Sequence, residues 1–209
     1  MATVLIPSEQ RVLLHNISWE TYERLLAAQQ DASAPRFTYD RGRLEIMSPS
    51  AEHEQFKEVI TLLVNVTAEE RAVDVEGFGS TTFRRADLER GFEPDACFYI
   101  EHVKRVRGKA HLDLTVDPPP ELVIEIDITH PSLNKFLIFA QLGVPEVWRY
   151  DGRQLRIFRL TGTEYVESDE SAVLPPLSSA IISHFIAESR RLERPTWLRG
   201  LRSWARQQE

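Results

Sequence analysis

Two acidic side chains alternate with apolar residues at positions 125 and 127 of the apolar segment 122–128. Successive side chains of an extended strand point to opposite faces, so Glu125 and Asp127 share one face and the larger apolar residues occupy the other. In a central strand an unpaired carboxylate is strongly disfavoured, and a metal ion or a basic partner would remove that cost. A second interpretation stays open, in which 122–128 is an edge strand with its outer face in water.

Asp95 stands at the beginning of another apolar segment, 96–100, directly after Pro94. Proline lacks an N–H and suits the first residue of a strand. A carboxylate at the mouth of one strand and a carboxylate within the next can converge on one side of a sheet. Oxygen ligands of this kind suit Mg²⁺, which takes one or two carboxylates, several waters and phosphate oxygens. The alternative for Asp95 is a turn or capping role.

Lys135 is the candidate cation beside these carboxylates. It is one of four lysines in a chain with twenty-one arginines, and it follows Ser132, the predicted N-cap of a helix. A compact ammonium group can orient an attacking water or stabilise charge that develops on a phosphate. The alternative is a lysine whose aliphatic stem covers apolar surface at the helix start.

Periodicity and turn residues predict the elements that position these side chains. Apolar residues at helical spacing favour helices over 19–26 and 51–66, another helix from Ser132 to Leu142 that stops at Gly143, and a last one from near Ser178. Turn residues at 40–42 and 151–152 predict two hairpins, 36–39 with 43–47 and 147–150 with 155–160. Further strands are predicted near 72–75, 81–84 and 95–100. From residue 51 to 150 the predicted order is helix, two or three antiparallel strands, strand, helix, strand.

Composition restricts the class of protein. A chain of 209 residues with 42% hydrophobic and 27% charged residues is typical of one globular domain. The sequence shows no apolar run long enough for a membrane span and no charged region followed by an apolar leader, so we expect a cytoplasmic protein. Cys97, the one cysteine, excludes an internal disulfide and is expected to be buried. The net charge of −7 is unfavourable for nucleic-acid binding through a broad basic surface.

Several segments resemble, in their order and spacing, the Uma-type family of restriction-endonuclease-like proteins (domain of unknown function 820) in the PD-(D/E)XK nuclease superfamily. The resemblance covers roughly residues 16–185. The segments are Met47-Ser-Pro-Ser-Ala-Glu-His53, Glu93-Pro-Asp95, Glu121-Leu-Val-Ile-Glu-Ile-Asp127, Pro131-Ser-Leu-Asn-Lys135 and Gly143-Val-Pro-Glu-Val-Trp148. The resemblance implies an α/β (α+β) fold with a core of order α-β-β-β-α-β. It also implies a Mg²⁺ ion, for which Mn²⁺ can substitute, on Asp95 and Glu125, with Lys135 as the catalytic base or water-orienting cation.

This sequence departs from the superfamily pattern at one position of the site. The lysine ordinarily follows the acidic residue by two positions, and Asp127 stands there instead. Asp127 is therefore either a third metal ligand or a partner that orients Lys135. Accessory candidates are His53, at a recurrent family position, Glu54, which could add a first-helix carboxylate, and His130, which could contact substrate. Capping by His53, a helix-dipole role for Glu54 and simple exposure of His130 are the respective alternatives.

The resemblance and the composition divide the chain into three parts: an N-terminal helix and hairpin adaptor (1–50), the nuclease-like core (51–187) and a basic amphipathic C-terminal helical tail (188–209). The function we expect is divalent-metal-dependent hydrolysis of nucleic acid, DNA before RNA, by a protein that could form a homodimer. The alternative is a catalytically silent nuclease fold that binds nucleic acid or protein. The tail, with six arginines from Arg190 onward, could pack on the body, mediate dimerisation or contact phosphate.

Overall fold

The computed structural model describes residues 9–29, 34–129 and 133–208, and it is a mixed α/β fold with two sheets. The strands are β1 (Gln10–His15), β2 (Arg36–Asp40), β3 (Arg43–Ser48), β4 (Glu76–Gly77), β5 (Phe83–Arg85), β6 (Arg90–Phe92), β7 (Ala96–Tyr99), β8 (Leu122–Ile126), β9 (Glu146–Tyr150), β10 (Leu155–Thr161) and β11 (Glu164–Ser168). The helices are α1 (Trp19–Gln29), α2 (Ala51–Glu70), α3 (Val103–Val106), α4 (Lys135–Leu142), α5 (Ser179–Ser189) and α6 (Arg194–Arg206).

The larger sheet has the strand order β11-β10-β9-β8-β7-β4, and β8 lies in its interior. Its pairs are antiparallel except for β8 and β9, which run parallel because α4 connects them as a crossover. With β5 and β6, which belong to the other sheet, and the four-residue α3 left aside, the elements α2, β4, β7, β8, α4 and β9 follow one another in the predicted α-β-β-β-α-β order. The edge-strand interpretation of 122–128 is therefore wrong.

The smaller sheet has the order β1-β3-β2-β6-β5, with all pairs antiparallel. It contains the predicted hairpin of β2 and β3, whose turn places Arg41 and Gly42 at positive φ (44° and 86°), as a tight hairpin turn demands. It also takes up β5 and β6 from beyond residue 51, so strands from two of the three predicted chain parts share one sheet.

The larger sheet is covered on both faces, which explains its apolar strands. Ile124 and Ile126 of β8 pack in a cluster with residues of α2, α5 and α6, whereas Val123, on the opposite face, packs with residues of α3 and α4. The alternation predicted for β8 is thus confirmed. One face of the strand is wholly apolar, and the side chains of Glu125 and Asp127 project from the opposite face. Cys97 is buried as expected, and burial raises the pKa of its thiol to about 12.

Several boundaries differ from the sequence prediction. Residues 72–75 are irregular, and the short strand β4 follows them. The strands β1, β6 and β11 and the helix α3 were not predicted. Helix α4 ends at Leu142, and Gly143 is left-handed (φ 78°), as expected. Helix α4 begins at Lys135 with Asn134 at its N-cap position, so the predicted start at Ser132 is wrong. Ser132 itself lies outside the described residues. Within the described residues, none of the helices has the length and apolar character needed to cross a membrane.

Candidate active site

Glu125 is the fourth of the five residues of β8 and lies on the sheet face that α4 covers. It forms a buried ion pair with Lys135. Lys135 Nζ donates to Glu125 Oε2 at 2.5 Å, and the two side chains are 9% and 3% exposed. Burial raises the pKa of Glu125, and the charge of Asp127 adds to this, while the Lys135 charge opposes it. Within the described part of the chain, Oε1 of Glu125 is buried and has no hydrogen-bond partner. An unsatisfied buried oxygen costs free energy unless a donor or a cation reaches it.

Asp127 shares the Glu125 face of β8 but pairs with arginines. Its Oδ1 accepts from Arg11 Nη2 at 3.3 Å, and its Oδ2 accepts from Arg149 Nε at 2.7 Å. Arg11 belongs to β1 and is itself buried, whereas Arg149 belongs to β9 and is partly exposed. Both carboxylate oxygens of Asp127 therefore already have a cationic partner.

Asp95 lies directly before β7 and beside Glu125, because the antiparallel register places Ala96 opposite Ile124. Its Oδ2 accepts from the Ile126 N–H at 2.6 Å. Its Oδ1 accepts from the Arg36 guanidinium and lies 2.8 Å from His53 Nε2. Asp95 thus connects the β8 backbone to a second group of buried charged side chains.

His53 and Glu54 belong to this second group, at the start of α2. The His53 ring is buried, with Nδ1 2.6 Å from Glu9 Oε2. The Ser50 side chain caps α2 by accepting from the His53 N–H. Glu54 is partly exposed, and its carboxylate accepts a hydrogen bond from Arg36 at 2.5 Å. Burial tends to raise the pKa of Glu54, but the charges of Arg36 and Lys57 outweigh this effect, so the pKa is lowered. His130 lies outside the described residues.

A cavity of about 390 Å³ opens beside β8 and the start of α4. Four charged side chains line it, from Glu125, Asp127, Lys135 and Arg149, together with Leu133, Asn134, Phe136 and Phe139. The structure therefore brings Glu125, Asp127 and Lys135 onto one cavity wall. Asp95, His53 and Glu54 do not line this cavity and instead contact Arg36.

A divalent cation is compatible with these residues, although they do not form an enclosed cage. In residues 9–29, 34–129 and 133–208, no set of three or more His, Cys, Asp or Glu side chains is close enough together to surround a metal ion. Mg²⁺ needs only one or two carboxylates, since water and phosphate oxygens complete its octahedron. The unpartnered Oε1 of Glu125 is an atom that a cation would satisfy. Asp95 lies beside Glu125 in the strand register, with its carboxylate paired to Arg36 and His53.

Sequence reasoning missed the arginines that pair with the carboxylates. Arg36 and Arg149 stand at strand positions that the sequence did identify, but a strand pattern does not indicate which carboxylate an arginine will reach. Arg11 and Glu9 lie in or beside β1, a strand without a clear sequence signal. A polar residue within the apolar segment 147–150 was the available signal for Arg149.

The six-stranded sheet, its α-β-β-β-α-β order and the acidic residues on its central strand define a restriction-endonuclease-like nuclease fold. The chain belongs to the family described as "Uma2: Putative restriction endonuclease", whose model matches residues 19–188. The fold is similar to the crystal structure of "a putative nuclease belonging to DUF820" from Anabaena variabilis ATCC 29413. The TM-score is 0.53 at 15% sequence identity, over 81% of this chain and 99% of that one. No curated protein matches the chain.

Proposed function

We propose that this protein is a divalent-metal-dependent endonuclease that hydrolyses phosphodiester bonds in nucleic acid, with DNA as the first candidate substrate. The observation that carries the proposal is the buried Glu125–Lys135 pair in a cavity wall, with one carboxylate oxygen left without a partner among the described residues. Membership of the family described as "Putative restriction endonuclease" supports it. A cytoplasmic location and a homodimer stay predictions.

In this proposal Glu125 and Asp95 hold Mg²⁺ or Mn²⁺. When bound, the ion would neutralise phosphate charge and lower the pKa of a coordinated water. Asp127 is the third ligand candidate, and it lines the cavity together with Glu125. The oxygens of both aspartates already accept hydrogen bonds, those of Asp127 from Arg11 and Arg149 and those of Asp95 from Arg36 and the Ile126 N–H, so a bound ion would have to compete with these donors. The expectation that Asp127 orients Lys135 has no hydrogen bond to support it among the described contacts, since Lys135 donates to Glu125.

Lys135 would act on the attacking water or on the scissile phosphate. An ammonium group has three N–H donors and no acceptor, and Glu125 takes one of the three. The other two can donate to a water oxygen and to a nonbridging phosphate oxygen. Held in this way, Lys135 would orient the water for in-line attack and stabilise the charge that builds up on phosphate as the P–O bond to the leaving oxygen breaks.

The test combines metal binding with cleavage. Calorimetric titration with Mn²⁺ at pH 8 should show binding to the wild type that Glu125→Gln abolishes and that Lys135→Met retains. Loss of the Lys135 charge raises the pKa of Glu125, so Mn²⁺ binding by Lys135→Met should weaken as the pH is lowered. Both variants should lose Mg²⁺-dependent or Mn²⁺-dependent cleavage. Glu164→Gln, at an exposed position of β11, removes the same charge away from the cavity and should behave as wild type.

Substrates for the cleavage assay are duplex, single-stranded and branched DNA, and RNA. A wild-type protein that is inert on all of them, with Mn²⁺ affinity unchanged by Glu125→Gln, would support the catalytically silent binding module instead. Cleavage that survives Lys135→Met would remove Lys135 from the proposed mechanism while leaving the metal site in place.

A further inference from the structure

We propose that Arg149 binds a phosphate group of the nucleic-acid substrate in the cavity beside Glu125 and Lys135. This inference rests on the proposed function and adds a substrate-binding residue to it. Arg149 lies on β9, opposite Glu125 in the parallel register, so its side chain leaves the sheet on the same face. Arg149, Glu125 and Lys135 line the same cavity.

Exposure distinguishes Arg149 from the other charged groups of this cavity. Its side chain is 36% exposed, against 9% for Lys135, 6% for Asp127 and 3% for Glu125. An incoming anion therefore meets Arg149 before it meets Lys135. Each cation is paired with one carboxylate, Lys135 with Glu125 and Arg149 with Asp127, so exposure is what separates them.

The guanidinium group is held at one nitrogen and leaves two others available. Arg149 Nε donates to Asp127 Oδ2 at 2.7 Å, and among the contacts of the described residues this is the hydrogen bond that Arg149 makes. Nη1 and Nη2, with four N–H groups between them, remain for a ligand. Asp127 is fixed from behind by Arg11, which is 7% exposed and also donates to Glu9 and Glu45.

This arrangement suits a phosphate oxygen pair. A guanidinium presents parallel N–H donors that match the spacing of two phosphate oxygens, and it stays charged at every physiological pH. Phe136, Phe139 and Leu133 line the same cavity, and apolar walls strengthen the attraction by excluding water. In a chain of net charge −7, phosphate affinity has to come from such local cations.

The test measures binding separately from cleavage. Fluorescence anisotropy of a labelled DNA duplex, in Ca²⁺ at several salt concentrations, would compare wild type with Arg149→Gln, Arg149→Lys and Arg159→Gln. Arg159 is exposed on the neighbouring strand β10 and serves as the matched charge control.

We expect Arg149→Gln to bind about tenfold more weakly, as the loss of a charge-assisted hydrogen bond implies. A plot of log affinity against log salt concentration has a negative slope, and for Arg149→Gln this slope should be less steep than that of wild type by about 0.9, which corresponds to one phosphate contact. Arg149→Lys should keep the wild-type slope, because the charge remains. Its affinity should lie between those of wild type and Arg149→Gln, because lysine lacks the paired N–H donors of the guanidinium group. Arg159→Gln should match wild type. Equal affinity and slope for Arg149→Gln and wild type, or no measurable binding of DNA by wild type, would overturn the proposal.

Two further measurements separate this proposal from binding of a small phosphoester and from the proposed hydrolysis. Inorganic phosphate is titrated as a probe of a single phosphate group; if Arg149→Gln weakens phosphate binding but leaves duplex binding unchanged, the ligand is a small phosphoester and the nucleic-acid assignment is overturned. Cleavage is assayed on the same proteins. Weakened duplex binding by Arg149→Gln without any wild-type cleavage supports the phosphate site and contradicts the proposed hydrolysis. Metal-dependent cleavage by wild type with unchanged binding by Arg149→Gln supports the hydrolysis and overturns the phosphate site.

Discussion

Replacing Lys135 with methionine tests the buried pair at the centre of the candidate site. Methionine keeps the length and apolar stem of lysine but leaves Glu125 buried without its cation. Because the two side chains are 9% and 3% exposed, the relevant magnitude is that of a buried pair with one partner removed, about 3–5 kcal/mol. An exposed pair would contribute only about 0–1 kcal/mol. We expect the free energy of unfolding to fall by the larger amount at pH 8.

The loss should depend on pH with a definite sign. Burial already raises the pKa of Glu125 in the folded protein above its ordinary value of 4.5, and removing the Lys135 charge raises it further. The folded variant then keeps a proton that the unfolded chain releases, so its stability falls as pH rises above 4.5 towards the folded pKa. The slope cannot exceed about 1.4 kcal/mol per pH unit for one proton. The deficit relative to wild type should therefore be smaller at pH 5 than at pH 8.

Urea unfolding followed by tryptophan fluorescence at both pH values measures this difference. The double variant Lys135→Met/Glu125→Gln, which has no charge to bury, should recover most of the loss and show little pH dependence. Lys104→Met, at an exposed position in α3, should change stability by less than about 0.5 kcal/mol. A deficit below about 1 kcal/mol at pH 8, or an equal deficit at both pH values with no recovery in the double variant, would refute the reasoning.

Two other predictions concern the tail and the N-terminal strand. Trp197 in α6 is 2% exposed, and its indole N–H donates to the Phe185 carbonyl at 2.8 Å. Trp197→Ala should therefore lower the free energy of unfolding, measured in urea, by about 3–5 kcal/mol. A loss under about 1 kcal/mol would show that α6 does not pack as described. Burial raises the pKa of Glu9, but hydrogen bonds from His53 and Thr129 and the charge of Arg11 together lower it to about 2. The ionised Glu9 side chain stabilises the fold fully above pH 4.5, and this stabilisation is lost as the pH falls towards 2. Glu9→Gln should therefore show a smaller fall of Tm between pH 4.5 and pH 2 than wild type does. An equal fall of Tm in both proteins would contradict the stabilising role of Glu9.

Local signals in the sequence were sufficient for the central elements. The alternation at Glu125 and Asp127, the turn at Gly42 and the stop at Gly143 each express a steric or periodic rule that acts within a few residues. For that reason β8, the hairpin of β2 and β3 and the end of α4 could be predicted. The fold class followed from the order of these elements together with the family resemblance.

The elements that were missed are short and depend on their partners. Strand β6 has three residues and includes Gly91, so it shows too little alternation to be recognised. Strand β1 has an ordinary length, but Val12 and Leu14 are exposed and the strand exists through its pairing with β3. Helix α3 has only four residues. Strand pairing between distant segments decides these cases, and a periodicity argument does not contain that information.

The side-chain pairings were likewise beyond sequence reasoning. Arg36 meets Asp95 across 59 positions, and Arg11 meets Asp127 across 116. Both contacts join the smaller sheet to carboxylates of the larger one. The candidate ligands could be named from the sequence, but which of them was left with an unpartnered oxygen depended on where these arginines lie.

The positions of the arginines also bear on the conflict between the proposed nucleic-acid substrate and a net charge of −7. The C-terminal arginines could have formed a basic surface, but Arg202 and Arg206 pair with Glu70 of α2 and Arg194 with Glu58. Helix α6 thereby packs on α2, and much of its charge is compensated there. Phosphate attraction would then depend on a few cations in the cavity, so removing one of them should weaken binding far more than removing an arginine elsewhere on the surface.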